Sequence, residues 1–143
     1  MKLIPYTYII GGVVFAVIFF LRIDFPEGLD GYFQRSYYMQ FGGVALAIEM
    51  GLAGYYLLRS SNRANFMLAL FGFSVVLDIV FGLFGVFSSI LTGGTLWVFG
   101  LIAFESLVIA FSNQYNTGKI AVSKVVISFV LGTAFELFFN YYL

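Results

Sequence analysis

LIPYTYIIGGVVFAVIFFL, residues Leu3–Leu21, runs for 19 positions without a charged side chain. A helix rises about 1.5 Å per residue, so such a run reaches about 28 Å, close to the roughly 30 Å hydrocarbon core of a bilayer. It is long for the apolar part of a secretory signal. It leads into Arg22-Ile23-Asp24-Phe25-Pro26 rather than a small-residue cleavage site. The stretch therefore predicts a retained membrane span.

The rest of the 143 residues has the same character: 62% are hydrophobic and 21% aromatic, and 10% are charged, where soluble domains carry about 25%. Four more stretches have the length and apolarity of a span, at 37–58, 66–91, 96–112 and 120–142. The connectors between them carry turn residues or charge, as in DFPEGLDGYFQRS (24–36) and NQYNTGK (113–119). The fold these features predict is all-α: a polytopic integral membrane bundle of five transmembrane helices forming one domain over 1–143. A four-span alternative makes one of the last two segments re-entrant. Only Thr92-Gly93-Gly94-Thr95 joins the third and fourth spans, which predicts a tight antiparallel hairpin. Lys2, Arg59, Arg63, Lys119 and Lys124 fall on one side of the bundle and Arg22 and Arg35 on the other. Because basic residues concentrate in cytoplasmic loops, the N-terminus is expected in the cytoplasm and the protein in the plasma or inner membrane as a multi-pass chain.

Seven basic residues balance seven acidic ones, so no net field draws the chain to nucleic acid. Absence of Cys and His removes disulfides, thiolate chemistry, imidazole metal sites and His-based catalysis together. No phosphate-binding loop or nucleophile elbow is present. The expectation is a protein that is not an enzyme and needs no cofactor, with the lipid bilayer and other membrane chains as its partners.

Three of the seven acids, Asp24, Glu27 and Asp30, lie in the first loop; the other four, Glu49, Asp78, Glu105 and Glu136, fall one in each of spans two to five. On the expected span boundaries Glu49, Asp78 and Glu105 lie within roughly 2 Å of the span centres and Glu136 about 7 Å outward. A charged carboxylate at such depth costs a few kcal/mol, so these groups seldom face lipid and are candidate ion- or proton-binding sites. The residues sharing a helical face with each acid test which way it points. Glu49 has Gly42, Ala45, Ala53 and Tyr56; Asp78 has Ser74, Gly82 and Gly85; Glu136 has Gly132, Thr133 and Asn140. Small residues allow close helix approach, and Tyr56, Ser74, Thr133 and Asn140 supply polar support. Glu105 differs. Its face carries Val98, Leu101, Ile102, Val108 and Ile109, as on a surface turned to lipid or to another chain. The plainer account of any one acid is a neutral carboxyl that hydrogen-bonds between helices. Asp24, Glu27 and Asp30 fit an outer mouth that attracts cations, and they fit a solvated polar loop more simply.

The acids also space evenly: 29 residues separate Glu49 from Asp78 and 31 separate Glu105 from Glu136. That spacing suggests a parallel hairpin repeat, 37–91 and 96–142, although Ala-apolar-Glu matches arise easily in so apolar a chain. Gly43, Ala47, Gly51 and Gly54 line a second face of span two at the spacing that suits close helix packing, within the chain or between copies. Lys124, about one turn inside the last span, is expected to snorkel to the interface.

Two functions remain open on these residues. One is a cation channel or transporter, for protons or a hard metal ion, acting as an oligomer through the intramembrane carboxylates. The other is a non-catalytic integral subunit of a larger membrane complex, in which the acids pair with partner chains. The motifs are too degenerate to point to a family.

Overall fold

Hydrocarbon offers the backbone no hydrogen-bond partner, so each apolar run closes its own N–H···O=C bonds as a helix. The computed structural model describes residues 3–85, 91 and 93–140. Lys2, the 86–90 part of the third expected span, Thr92, Tyr141, Tyr142 and the side chain of Asn140 lie outside the described residues. The helices are α1 (Leu3–Leu21), α2 (Arg35–Met39), α3 (Gly42–Leu58), α4 (Ala64–Leu83), α5 (Gly94–Ser112) and α6 (Val122–Asn140), with a 3₁₀ turn at Leu29–Phe33. Taking α2 and α3 together, five helical segments are long and apolar enough to cross a membrane. The chain is a multi-pass helical membrane bundle.

Helices α1 and α3 pack antiparallel through glycine. A Cβ on Gly12 would stand 2.7 Å from the Gly51 amide nitrogen and 2.8 Å from the Ala47 carbonyl oxygen, so backbone meets backbone there. Gly54 is pressed in the same way against Pro5 O (2.8 Å) and Ile9 N (2.9 Å), and Gly43 against the Phe19 ring. The small-residue face of span two is therefore spent inside the chain, on α1. Helix α4 is the hub, packing against α3, α5 and α6. Gly72 admits Leu107 of antiparallel α5, and Gly132 of parallel α6 lies against Ser74. Phe99 of α5 stacks on Phe15 and Phe19 of α1 and Phe71 of α4, with ring centroids 4.8, 5.9 and 6.1 Å away, and so closes the core. Helices α5 and α6 each rest on α4 rather than on one another, whereas α3 and α4 pack directly.

Two boundaries differ from expectation. The apolar run predicts a third span reaching residue 91, but α4 stops at Leu83. Phe84 still donates to Val80 O, and then Gly85 turns left-handed with φ +68. A glycine just past a helix end takes that conformation without Cβ strain, and the helix terminates although the sequence stays apolar. The connection to α5 is consequently longer than Thr92–Thr95. Leu91, just before α5, is fully buried in the core. The second span, expected as one helix over 37–58, breaks at Gln40 and Phe41 just before the Gly42-Gly43 pair. Gln40 holds the break in place: its Oε1 accepts from Asp24 N (2.7 Å) and its Nε2 donates to Asp24 O (3.1 Å), tying the first loop to the junction.

The two glycines of the α1–α3 crossing differ in a testable way. A Cβ on Gly51 would meet only Gly12 Cα at 4.0 Å, so Gly51→Ala fits where Gly12→Ala collides with backbone. Unfolding of the detergent-solubilised protein should show Gly12→Ala less stable by about 1–3 kcal/mol. Gly51→Ala should stay within about 0.5 kcal/mol of the parent.

Candidate functional site

The α4–α6 crossing organises the acids. Gly132 lacks the Cβ that would come 3.3 Å from Ser74 N, so α6 approaches the α4 backbone closely at that level. The two helices run parallel. One turn further along α4 stands Asp78, and one turn further along α6 stands Glu136; they are 1% and 0% exposed. Both lie about 7 Å from their helix midpoints, toward the end of the bundle that carries the first loop. The expected span boundaries put Asp78 near the centre of its span. It sits nearer the end because α4 is shorter than the apolar run that contains it. Asp78 Oδ2 accepts from the Leu91 amide at 3.2 Å, so a backbone donor from beyond the end of α4 covers it.

Glu49 approaches the same α4 face from α3. Its carboxyl lies near Ser74, and Glu49 Oε2 and the Ser74 hydroxyl are both buried with no hydrogen-bond partner among the described residues. Ser74, wholly buried, thus stands between Glu49 of α3 and Gly132 of α6, one turn below Asp78. At the far end of α6, Arg35 donates to the Leu137 and Phe138 carbonyls and covers the Phe138 ring at 5.9 Å. A cation near a helix C-terminus satisfies carbonyls left over by the helix and opposes its dipole. Here it also fixes the segment that carries Glu136.

The other expected members do not join this cluster. Thr133 turns its hydroxyl back to Phe129 O of its own helix (3.0 Å). Tyr56, half-buried, is seven residues from Glu49, about 10 Å toward the opposite end of the bundle. Glu105 is exposed on α5 beside the exposed Leu101, Phe104 and Val108. Its neighbours are phenols: it lies within hydrogen-bonding reach of Tyr8. Burial first, and then the Glu105 carboxylate, push the Tyr115 phenol above its ordinary value. Asp24, Glu27 and Asp30 are exposed on the first loop. Among the described residues, no three His, Cys, Asp or Glu side chains are grouped so as to hold a metal ion.

Two polar networks carry no mark in the sequence. Tyr8 of α1, 1% exposed, shares a 2.7 Å hydrogen bond with Ser106 of α5, whose hydroxyl donates to Ile102 O. Nothing in the spacing of the sequence pairs this tyrosine with a serine 98 residues away. Asn65, which reads as connector, is buried in the first turn of α4. Its Nδ2 donates to Asn113 Oδ1 (3.1 Å) and to Gly118 O (2.6 Å).

No family model matches the chain, nor does any curated protein or solved structure.

The Tyr8–Ser106 bond joins α1 to α5 inside the bundle, so it lends itself to a double-mutant cycle. Tyr8→Phe, Ser106→Ala and the pair, unfolded in bicelles, should give a coupling energy of about 0.5–1.5 kcal/mol, the range of interhelical hydrogen bonds in membranes. Additive single losses would show that the two hydroxyls act separately.

Proposed function

We propose that the protein conducts protons across the bilayer, using Asp78 and Glu136 as the exchanging pair and Glu49 as the group that receives or supplies the proton from the other side of Ser74. The observation that carries this reading is the placement of two fully buried carboxyls, on parallel neighbouring helices, one turn beyond the same close contact. Two buried carboxyls at one level of neighbouring helices offer a proton successive acceptors of the same chemistry. A proton is the better fit, since it needs one or two oxygens, whereas Mg²⁺ or Ca²⁺ asks for six or more.

A second reading, the membrane-complex subunit, draws on Glu105. A carboxyl in mid-helix among exposed apolar residues is expensive against lipid, and another chain seated on α5 would relieve that cost. The two readings are compatible if the protein works as an oligomer, with α5 at the subunit contact.

In proteoliposomes carrying an internal pH dye, the parent protein is expected to collapse an imposed proton gradient. Asp78→Asn and Glu136→Gln should each slow that collapse by about a hundredfold, the usual worth of a positioned proton-transfer group. Asp30→Asn should leave the rate unchanged, with all variants checked for helix content and monodispersity. Equal flux in parent, Asp78→Asn and Glu136→Gln would refute the reading. Loss of co-purifying polypeptides in Glu105→Gln, with no parental proton flux, would favour the subunit instead.

A further inference from the structure

At the basic end of the bundle, where α4 and α6 begin, two crevices meet. The larger, about 400 Å³, is lined by Tyr56, Arg63, Phe66, Met67, Lys124 and Ile127. The smaller shares Phe66 and Lys124 with it and adds Asn65, Gly118 and Lys119. Together they form one cleft with an apolar floor and a cationic rim. The rim holds three basic side chains, Arg63, Lys119 and Lys124, all exposed. None of the three side chains makes an ion pair or hydrogen bond among the described residues. Each acid of the first loop lies at the opposite end, so nothing within the described residues neutralises this rim.

A second observation comes from Asn65. Both partners of its Nδ2, Asn113 Oδ1 and the Gly118 carbonyl, are acceptors at 3.1 and 2.6 Å, which fixes the orientation of the amide. Oδ1 is therefore the remaining acceptor. It is buried and unpartnered among the described residues, on a residue 1% exposed that lines the cleft. Such an atom asks for a donor. A phosphate oxygen does not supply one, whereas a headgroup hydroxyl does.

We infer that this cleft binds an anionic phospholipid whose headgroup carries hydroxyls, of the phosphatidylglycerol type. Its phosphate sits among Arg63, Lys119 and Lys124, a headgroup hydroxyl donates to Asn65, and an acyl chain lies along Phe66, Met67 and Ile127. The position suits a lipid rather than a soluble anion. The rim stands at the ends of two spans, where headgroups lie, and the apolar floor continues down α4 and α6 into the hydrocarbon.

Native mass spectrometry of the purified protein with phosphatidylglycerol, phosphatidylmethanol and phosphatidylcholine tests this. Phosphatidylglycerol should be retained over phosphatidylcholine, and over phosphatidylmethanol, an anionic phosphodiester whose headgroup has no hydroxyl. The preference over phosphatidylcholine should fall by about fivefold for each charge removed in Arg63→Gln and Lys124→Gln, and further in the double variant. Arg22→Gln, at the other end of the bundle, should keep the parental preference. Because both rim side chains are exposed, the variants are expected to fold, and retained helix content confirms it. Equal retention of the three lipids, or a preference that survives the double variant, overturns the inference. So does displacement of the lipid by millimolar glycerol 1-phosphate, which would make the cleft a soluble-anion site.

Discussion

Gly132 lets α6 lie almost on the backbone of α4 at Ser74, and the arrangement of the carboxyls depends on that approach. Parallel helices in contact at one level keep their side chains in step one turn later. Asp78 and Glu136 therefore reach the same depth, where both are withdrawn from the bilayer. An alanine Cβ at position 132 would stand 3.3 Å from Ser74 N, so the helices would have to part there by a few tenths of an ångström, and a larger side chain would part them further. Helix α4 makes the arrangement possible because it alone among the described helices touches α3, α5 and α6. A third acid, Glu49, thereby meets the opposite edge of Ser74.

The elements around this crossing serve to hold it. Glycines at 12 and 54 lock α1 to α3, Phe99 packs that pair onto α4, and the Tyr8–Ser106 bond ties α1 to α5. At one end Arg35 holds the last carbonyls of α6, and at the other the Asn65 amide gathers the C-cap of α5 and the loop that leads into α6. In hydrocarbon there is little hydrophobic gain in bringing one apolar helix against another, so tight glycine contacts and buried hydrogen bonds carry the association.

Legible in the sequence was whatever depends on length and local composition. Five long apolar runs give five helical segments of membrane-spanning length, and the face Gly43, Ala47, Gly51, Gly54 does mark a close helix contact. The small and polar neighbours of Asp78 and Glu136, against the apolar neighbours of Glu105, separate two buried acids from an exposed one, with Glu49 half-buried between them. Three features escaped because they depend on conformation or on distant parts of the chain. Gly85 ends α4 through a left-handed turn that an apolar run does not announce, and the depth of Asp78 shifts with it. Leu91 donates its amide to Asp78 across 13 residues, beyond the end of α4. Asn65 and Tyr8 find their partners 48 and 98 residues away, and helical periodicity carries no information at that range.

A chain without cysteine allows the α4–α6 register to be measured directly. Cysteines placed at Phe73 and Gly132 in an otherwise unchanged protein should form a disulfide on mild oxidation in the membrane, since that bond needs Cβ atoms about 4 Å apart and a Cβ at 132 would stand 3.4 Å from that of Phe73. A pair at Phe73 and Ser128, one turn out of step, should not. Efficient bridging of the Phe73–Ser128 pair with none at Phe73–Gly132 would shift Glu136 a full turn from Asp78 and contradict the account.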